Sequence, residues 1–348
     1  MKLNALGTGG LRVPEICLGT MTFGQQNTLD EACAQLDYAL DHGVNFIDAA
    51  EMYPVPTRAE TYGRTEEFIG HWLNTQARSK VILATKAAGP SRNRADVTWV
   101  RGEKPAFDRK DIQRGIENSL RRLQTDYIDL YQLHWPARNT PIFGQSLYDP
   151  AAERDSVALR ETLDALAQAV KAGKVRHAGL SNETPWGAMQ FLRLADKHKL
   201  PRVVSIQNAY NLINRVYEYG LSEIGYRESI GLLAYSPLAF GHLAGKYIDG
   251  IPPRSRLGEF PQFGQRYAKP AVAPAVTEYA ALAKSLGLSL TALALAFVKS
   301  RWFVASTIIG ATTLDQLKEN IAAFDVTLDA ATLEMIDKTH FKYTNPAP

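Results

Sequence analysis

The chain has 348 residues, of which 45% are hydrophobic and 22% are charged, and its net charge is +3. This composition is typical of a globular protein, and so small a charge excess argues against a nucleic-acid binder. The first residues lack the apolar run of a signal peptide, and no segment reaches the roughly 18 apolar residues of a membrane span, so we expect a cytoplasmic protein without membrane contact.

The predicted elements begin with a small β-hairpin at residues 3–13, which turns at the GTGG sequence of residues 7–10. Eight short apolar runs follow, each rich in aliphatic and β-branched residues. Parallel strands that are buried on both faces have this pattern. The predicted strands lie at 16–20, 44–48, 81–86, 127–134, 175–181, 203–208, 232–236 and 304–310.

Helical patterns separate these strands. Thr28 with Glu31, and Thr313 with Gln316, have the spacing of capping boxes, in which two side chains satisfy the first backbone amides of a helix. Apolar residues recur on one face of each predicted helix. The best-defined helices are predicted at 28–42, 109–123, 157–172 and 313–323.

Strands that alternate with helices predict an α/β fold, a (β/α)8 TIM barrel. No linker rich in Pro, Ser or Gly divides the chain, so we expect one domain over residues 1–348. The N-terminal β-hairpin would close the bottom of the barrel. Long loops at 87–108, 135–156 and 237–272 each follow a strand, which would place them at the C-terminal mouth, where barrels build active sites.

Three ionisable residues stand at predicted strand ends, namely Asp48, Lys86 and His134. Taken singly, each has an ordinary explanation, as a helix cap, a lysine that reaches solvent or a structural histidine. Because the ends of parallel barrel strands converge on one face, the three would meet at one mouth. Tyr53 lies five residues beyond Asp48 in the same loop and can reach that place.

This set of residues suits the reduction of a carbonyl group. A carbonyl that accepts a hydride also needs a proton on its oxygen, and the ordinary pKa of tyrosine, about 10, is high for a donor. We expect the Lys86 ammonium to lower the pKa of Tyr53, and Asp48 to keep Lys86 charged and in place. His134 would hydrogen-bond the carbonyl oxygen and orient it.

The segments that hold these residues, NFIDAAEMY (45–53) and YIDLYQLHWP (127–136), resemble signatures of the aldo-keto reductase superfamily. So do LGTMTFG (18–24), GLSNET (179–184), QNAYN (207–211), LLAYSPLAFGHLAGKY (232–247) and IIGATTLDQLKEN, so the likeness covers nearly the whole chain. Within the superfamily, the chain is most similar to bacterial Tas-like reductases and, more distantly, to β subunits of voltage-gated potassium channels.

The resemblance implies a barrel that binds NADP(H) without a Rossmann domain. Residues matched to the nicotinamide end are Gly19, Thr20, Met21, Asp48, Ser181, Asn182, Gln207 and Tyr235, whose ring would stack on the nicotinamide. Residues matched to the loop over the phosphates are Ser236, Pro237, Leu238, Gly241, Leu243, Lys246 and Arg256. Residues matched to the adenine and 2′-phosphate end are Gly310, Thr312, Gln316, Glu319 and Asn320. Gln316 has the alternative role of capping-box partner to Thr313.

Other motifs carry no cofactor or metal. No predicted helix follows the GTGG turn, and GHLAGK (241–246) is one residue short of a P-loop, so neither is a nucleotide motif. The two cysteines, Cys17 and Cys33, have neither zinc nor redox spacing, and no metal is expected.

The substrate side is less specific in sequence. Glu51, Met52 and Trp135 flank the four candidate catalytic residues and are expected to line a pocket for a small-molecule carbonyl substrate. A rim of basic and aromatic residues would favour acidic or aromatic carbonyls, or would simply be solvated. Its members are Arg92, Arg94, Trp99, Arg101, Arg138, Phe143 and Tyr148.

Two other functions remain open. The chain is expected to be an NADPH-dependent reductase, but the channel-like segments also fit a regulatory subunit that binds NADPH with little turnover. His134 favours the reductase, because the channel subunits carry asparagine there. The second alternative is a lyase that forms a Schiff base on Lys86, since barrels host many reactions.

Overall fold

The computed structural model describes residues 1–91, 97–102, 104–262 and 264–348. Eight parallel strands close into a barrel in the order β10-β3-β4-β5-β6-β7-β8-β9, and a separate antiparallel hairpin pairs β1 with β2. The predicted (β/α)8 barrel and its N-terminal hairpin are therefore confirmed. The strands are β1 Leu3–Leu6, β2 Leu11–Pro14, β3 Ile16–Gly19, β4 Phe46–Asp48, β5 Ile82–Ala87, β6 Ile128–Leu133, β7 Val175–Ser181, β8 Val203–Ala209, β9 Gly231–Tyr235 and β10 Val304–Ile309.

Helices surround the barrel, and their ends follow the capping signals in the sequence. The Thr28 capping box forms in full at α1, but the second box forms only in part, because Thr313 accepts from the amide of Gln316 while the Gln316 side chain turns to Thr312. The helices are α1 Leu29–Asp41, α2 Arg64–Leu73, α3 Arg109–Leu123, α4 Leu159–Lys171, α5 Pro185–His198, α6 Leu221–Glu228, α7 Arg256–Glu259, α8 Val272–Ser285, α9 Leu290–Lys299, α10 Leu314–Ala322 and α11 Ala330–Lys342.

The hairpin closes the bottom of the barrel, as its position in the sequence suggested. Leu6 and Val13 have no exposed surface and join a cluster of inward-facing strand residues that includes Cys17 and Phe46. At the hairpin turn, Gly7 has a φ of +68°, and a Cβ there would lie 2.5 Å from the side chain of Val204. Only glycine allows so close an approach in this conformation. The bottom of the barrel is therefore packed, which leaves the opposite end open to ligands.

The three long loops extend from β5, β6 and β9, all at the C-terminal mouth. The loop after β9 is the most structured, with a 3-10 helix at Ala239–Ala244, then α7, then another 3-10 helix at Gln265–Tyr267. Of the described helices, none alone is long and apolar enough to span a membrane. The successive helices α8 and α9 reach that length only together, across a bend of 94°.

Candidate active site

The polar residues of the site come from the C-terminal ends of neighbouring barrel strands. Asp48 is the last residue of β4, Lys86 is next to last in β5, and His134 follows β6. Their backbones are linked around the barrel, since Asp48 pairs with Ala84 of β5 and the amide of His134 donates to the carbonyl of Ala87. Because all eight strands are parallel, these residues share one mouth.

Lys86 lies at the centre of the four candidate catalytic residues. Its Nζ donates to Oδ2 of Asp48 over 2.6 Å and to the carbonyl of Ala49 over 2.7 Å. The same Nζ lies 5.0 Å from the centroid of the Tyr53 ring, and the rings of Tyr53 and His134 meet edge to face at 5.8 Å. The structure thus brings together the three strand-end residues and Tyr53, as the sequence predicted.

The second carboxylate oxygen of Asp48 is also bound. Its Oδ1 accepts from Nε2 of Gln207 over 2.8 Å and from Nε2 of Gln132 over 3.3 Å. Gln207, which was predicted to bind the nicotinamide carboxamide, uses its amide nitrogen to bind the Asp48 carboxylate. Gln132 was not predicted, although a polar residue in the apolar strand YIDLYQLH was a visible signal. Three donors therefore fix the position of the Asp48 carboxylate.

Burial and charge act in opposite directions on Lys86 and Tyr53. Burial lowers the pKa of Lys86, but Asp48 and then Tyr53 raise it, and the net result is a raised pKa. Burial raises the pKa of Tyr53 above its ordinary value, while Lys86 lowers it. The expectation that the pKa of Tyr53 would be pulled down was therefore wrong for the net shift, because burial outweighs the ammonium. Tyr53 carries its proton at neutral pH.

His134 is a neutral imidazole in this position. Its pKa lies well below the ordinary value because burial disfavours the cation and the nearby Lys86 repels it. Its Nδ1 is buried and has no hydrogen-bond partner among the described residues. A neutral imidazole beside the Tyr53 phenol can donate one hydrogen bond to a carbonyl oxygen.

The residues expected at the nicotinamide end form a hydrogen-bonded row. Nδ2 of Asn182 donates to the carbonyl of His134 over 2.9 Å and to Oγ of Ser181, and its Oδ1 accepts from the hydroxyl of Tyr235 over 2.7 Å. Oγ of Ser181 in turn donates to the carbonyl of Gln207 over 2.9 Å. This row lies beside the candidate catalytic residues, across the ends of β7, β8 and β9.

The start of the first-strand loop completes this end of the site. Gly19 ends β3, and a Cβ there would lie 2.7 Å from the side chain of Ile308, so no larger residue fits without movement. The amide and the hydroxyl of Thr20 both donate to the carbonyl of Asp48, and the carbonyl of Met21 accepts from the amide of Val55. The β3 loop is therefore tied to the loop that carries Tyr53.

The loop after β9 folds back on itself and carries Lys246 and Arg256, the two cations expected over the phosphates. Gly241 has a φ of +100°, and a Cβ there would lie 2.9 Å from Cε of Lys246, so the lysine crosses directly over the glycine. Arg256 begins α7 and stacks on the ring of Phe240, 5.0 Å from its centroid. Burial, then repulsion by Arg256, lowers the pKa of Lys246. The loop also holds Ser236, Pro237, Leu238 and the fully buried Leu243.

The residues expected at the adenine end cluster where α10 begins. Oε1 of Gln316 accepts from the amide and the hydroxyl of Thr312, and Nδ2 of Asn320 donates to the carbonyl of Gly310 over 3.2 Å. Glu319 accepts from the hydroxyl of Ser289 over 3.3 Å and attracts Lys246 electrostatically. The α10 end of the site is thus joined to the loop after β9.

Comparisons with known proteins identify the family. The model of the aldo/keto reductase family matches residues 15–340. The chain belongs to this family. Its relatives include the protein Tas of Escherichia coli, which is 49% identical over the full length of both chains. L-glyceraldehyde 3-phosphate reductase of E. coli is 30% identical over 97% of this chain and 92% of its own. A probable voltage-gated potassium channel β subunit of Arabidopsis thaliana is 32% identical over 94% of this chain and 92% of its own.

In this aldo-keto reductase, Glu51 lies beneath the substrate side instead of on its surface. The Glu51 side chain has no exposed surface and accepts from Arg101 and from the amide of Ala88. Arg101 also donates to both carboxylate oxygens of Asp111, over 2.8 and 3.0 Å, and to the carbonyl of Ala88. Glu51 was expected to line the pocket and Arg101 to stand at the rim. Both side chains are instead buried and paired with each other. Arg101 lies 10 residues from Asp111 and 50 residues from Glu51 in the sequence, so no local pattern predicted this network.

Met52 and Trp135 remain close to the mouth. They pack with Ala88 and Val100 in a small apolar cluster beside Tyr53. Nε1 of Trp135 donates to the carbonyl of Pro90 over 3.0 Å, so the indole is fixed in orientation.

The residues expected at the rim have different surroundings. Arg138 pairs with Glu183, and Trp99 contacts Tyr62. Phe143 and Tyr148 are exposed. Arg92 and Arg94 lie outside the described residues.

Proposed function

We propose that this chain is an NADPH-dependent reductase of a small-molecule aldehyde or ketone. The observation that carries the proposal is the Lys86 ammonium, bound to Asp48 at 2.6 Å and 5.0 Å from the centroid of the Tyr53 ring. The relative named as an L-glyceraldehyde 3-phosphate reductase supports an aldehyde substrate.

The cofactor side of the site fits NADP(H). Lys246 and Arg256 lie close enough to interact electrostatically, and no carboxylate hydrogen-bonds to either among the described residues, so two cations are available for phosphate groups. The row of Ser181, Asn182 and Tyr235 presents amide and hydroxyl groups and an aromatic ring to a nicotinamide. Bound NADPH would supply the hydride. A 2′-phosphate would meet Lys246, Arg256 and the first turn of α10, which favours NADPH over NADH.

The chain's own residues then handle the carbonyl oxygen. Tyr53 donates its phenolic proton to that oxygen, and Lys86 stabilises the phenolate that remains. Asp48 keeps Lys86 charged. Neutral His134 donates a hydrogen bond that orients the carbonyl and supports its developing negative charge. A Schiff base on Lys86 is disfavoured, because an ammonium paired with a buried carboxylate is not a nucleophile.

A regulatory role remains the second candidate, because the channel β subunits match most of this chain. It predicts tight NADPH binding with negligible turnover. His134 argues against it, because that side chain adds a hydrogen-bond donor for a carbonyl oxygen beside Tyr53.

The test is steady-state oxidation of NADPH by the purified chain with a panel of aldehydes, ketones and quinones, alongside NADPH affinity by fluorescence quenching. Turnover with at least one class of carbonyl supports the reductase. Tight binding without any turnover supports the regulatory subunit, and equal affinity for NADH and NADPH contradicts the cofactor preference.

A further inference from the structure

Arg266 is a charged residue of the mouth to which neither the resemblance nor the proposed function gives a role. It lies in the 3-10 helix Gln265–Tyr267 of the loop after β9, where its side chain is partly buried. Its Nη1 donates to the hydroxyl of Tyr235 over 3.4 Å, and no carboxylate pairs with it among the described residues. A neutral hydroxyl does not balance a guanidinium, which is charged at every physiological pH.

Three other arginines with little exposed surface are balanced by acidic side chains. Arg101 and Arg215 each contact two carboxylates, and Arg122 contacts one. This contrast is informative, because removing a charge from water is costly unless a counter-ion replaces the water. Arg266 therefore has the environment of a residue whose counter-ion arrives with a ligand.

Hydrogen bonds place Arg266 beside the catalytic residues. Its partner Tyr235 donates to Oδ1 of Asn182 over 2.7 Å, and Nδ2 of Asn182 donates to the carbonyl of His134 over 2.9 Å. Two side chains thus connect the guanidinium to the residue that orients the carbonyl. This is the reactive end of the site, whereas the resemblance matches Lys246 and Arg256 to the loop over the phosphates.

The backbone of Arg266 is also held against the loop that follows β6. Gly144 of that loop has a φ of +98°, and a Cβ there would lie 3.1 Å from Cα of Arg266. Nζ of Lys269 donates to the carbonyl of the same glycine over 3.0 Å. Arg266 therefore lies where two mouth loops meet. The loop after β6 carries Trp135 near its start, one of the residues expected to contact substrate.

We propose that Arg266 binds an anionic group, a carboxylate or a phosphate, carried by the carbonyl substrate itself. This inference rests on the proposed function, and it makes acidic aldehydes or ketones the preferred substrates. It also assigns the acid preference expected of the rim to Arg266 instead of Arg101 and Arg138, which already pair with carboxylates. Within the described part of the chain, no carboxylate pairs with Arg266. A planar guanidinium suits either anion, since it can donate two parallel hydrogen bonds.

The experiment compares 4-carboxybenzaldehyde with benzaldehyde, which differ by one carboxylate. For Arg266→Gln, kcat/KM for 4-carboxybenzaldehyde is expected to fall roughly tenfold to a hundredfold relative to benzaldehyde, mainly through KM, since hydrogen bonds to charged groups contribute that much. Arg254→Gln is the matched control, because Arg254 is an exposed arginine of the same loop, and it should leave the ratio of the two substrates unchanged.

Equal losses for both aldehydes in Arg266→Gln would overturn the inference and leave the reductase function intact. A weakened affinity for NADPH, measured by fluorescence, would assign the anion to the cofactor instead and would also overturn it. If the wild-type chain reduces neither aldehyde, the proposed function fails for this class. Benzoate binding to the protein–NADP⁺ complex then decides, since the inference requires binding by wild type and Arg254→Gln but not by Arg266→Gln.

Discussion

Nζ of Lys86 donates a hydrogen bond to Oδ2 of Asp48 over 2.6 Å, and the lysine side chain has no exposed surface. Each charge of such a buried pair needs the other as its counter-ion, because either one alone would lack both water and a partner. Asp48 keeps two further donors, Gln207 and Gln132, so its position does not depend on the lysine alone. The same ion pair therefore stabilises the barrel mouth and holds the Lys86 ammonium beside Tyr53.

Removing the lysine should therefore destabilise the fold as well as the site. Lys86→Met leaves Asp48 buried without its counter-ion, and we expect a loss of about 3–5 kcal/mol in the free energy of unfolding. The double variant Lys86→Met/Asp48→Asn should regain part of that stability while staying inactive. Urea denaturation measures the first effect and NADPH oxidation the second. A double variant no more stable than Lys86→Met would show that the pairing is not the cause.

The pH profile of reduction should be flat around neutrality. If Tyr53 is the proton donor, catalysis needs its phenol protonated, and because its pKa is raised above 10.0 the proton is lost only at strongly alkaline pH. It also needs His134 neutral, and its pKa is lowered well below 6.5, so the imidazole gains a proton only at acid pH. We therefore expect constant kcat/KM between about pH 7 and pH 9. A decline centred within that interval would contradict these assignments.

Arg101 should position the Tyr53 loop without touching the substrate. Arg101→Met strands the buried Glu51 and Asp111, and a loss of about 3–5 kcal/mol is expected in the free energy of unfolding. The variant should lose kcat as well, because Glu51 stands two residues before Tyr53. The double variant Arg101→Met/Glu51→Gln removes one stranded charge and should recover some stability. Equal stability of the two variants would count against the network.

Gly241 should control the position of Lys246. Gly241→Ala places a methyl group 2.9 Å from Cε of Lys246 at a φ of +100°, so weaker NADPH binding is expected. Gly245→Ala is the matched control, since its φ is +76° but its nearest neighbour, Cδ1 of Ile248, is 3.8 Å away. Both should lose stability from backbone strain, and only the first should lose affinity for NADPH in fluorescence titrations. Equal losses of affinity would point to strain alone.

Much of the candidate site could be predicted from the sequence, because residues at the C-terminal ends of parallel barrel strands lie at the same mouth. Asp48, Lys86 and His134 each end an apolar run, and the closure of eight strands brings them together whatever the details of packing. Tyr53 followed from its short distance along the chain. The eight strands were predictable for the same reason, since runs buried on both faces are continuous in sequence.

The rest depended on contacts between distant segments. Arg101 looks like a rim residue in its loop, and only the folded chain shows it paired with Glu51, 50 positions earlier. The direction in which the pKa of Tyr53 shifts could not be predicted either. The sequence indicates a neighbouring ammonium but not how strongly the fold buries the phenol. Arg266 belongs to no motif, and only the packed mouth shows that no carboxylate of the described residues pairs with it.

The most direct test is the change of Tyr53 to Phe, which removes the phenolic proton and keeps the ring beside Lys86. If Tyr53 is the proton donor, kcat for a reactive aldehyde should fall roughly a hundredfold to ten-thousandfold, the usual contribution of a general acid. The affinity for NADPH, measured by fluorescence in the same preparation, should remain unchanged. A variant that binds NADPH normally and reduces the aldehyde at the wild-type rate would contradict the account.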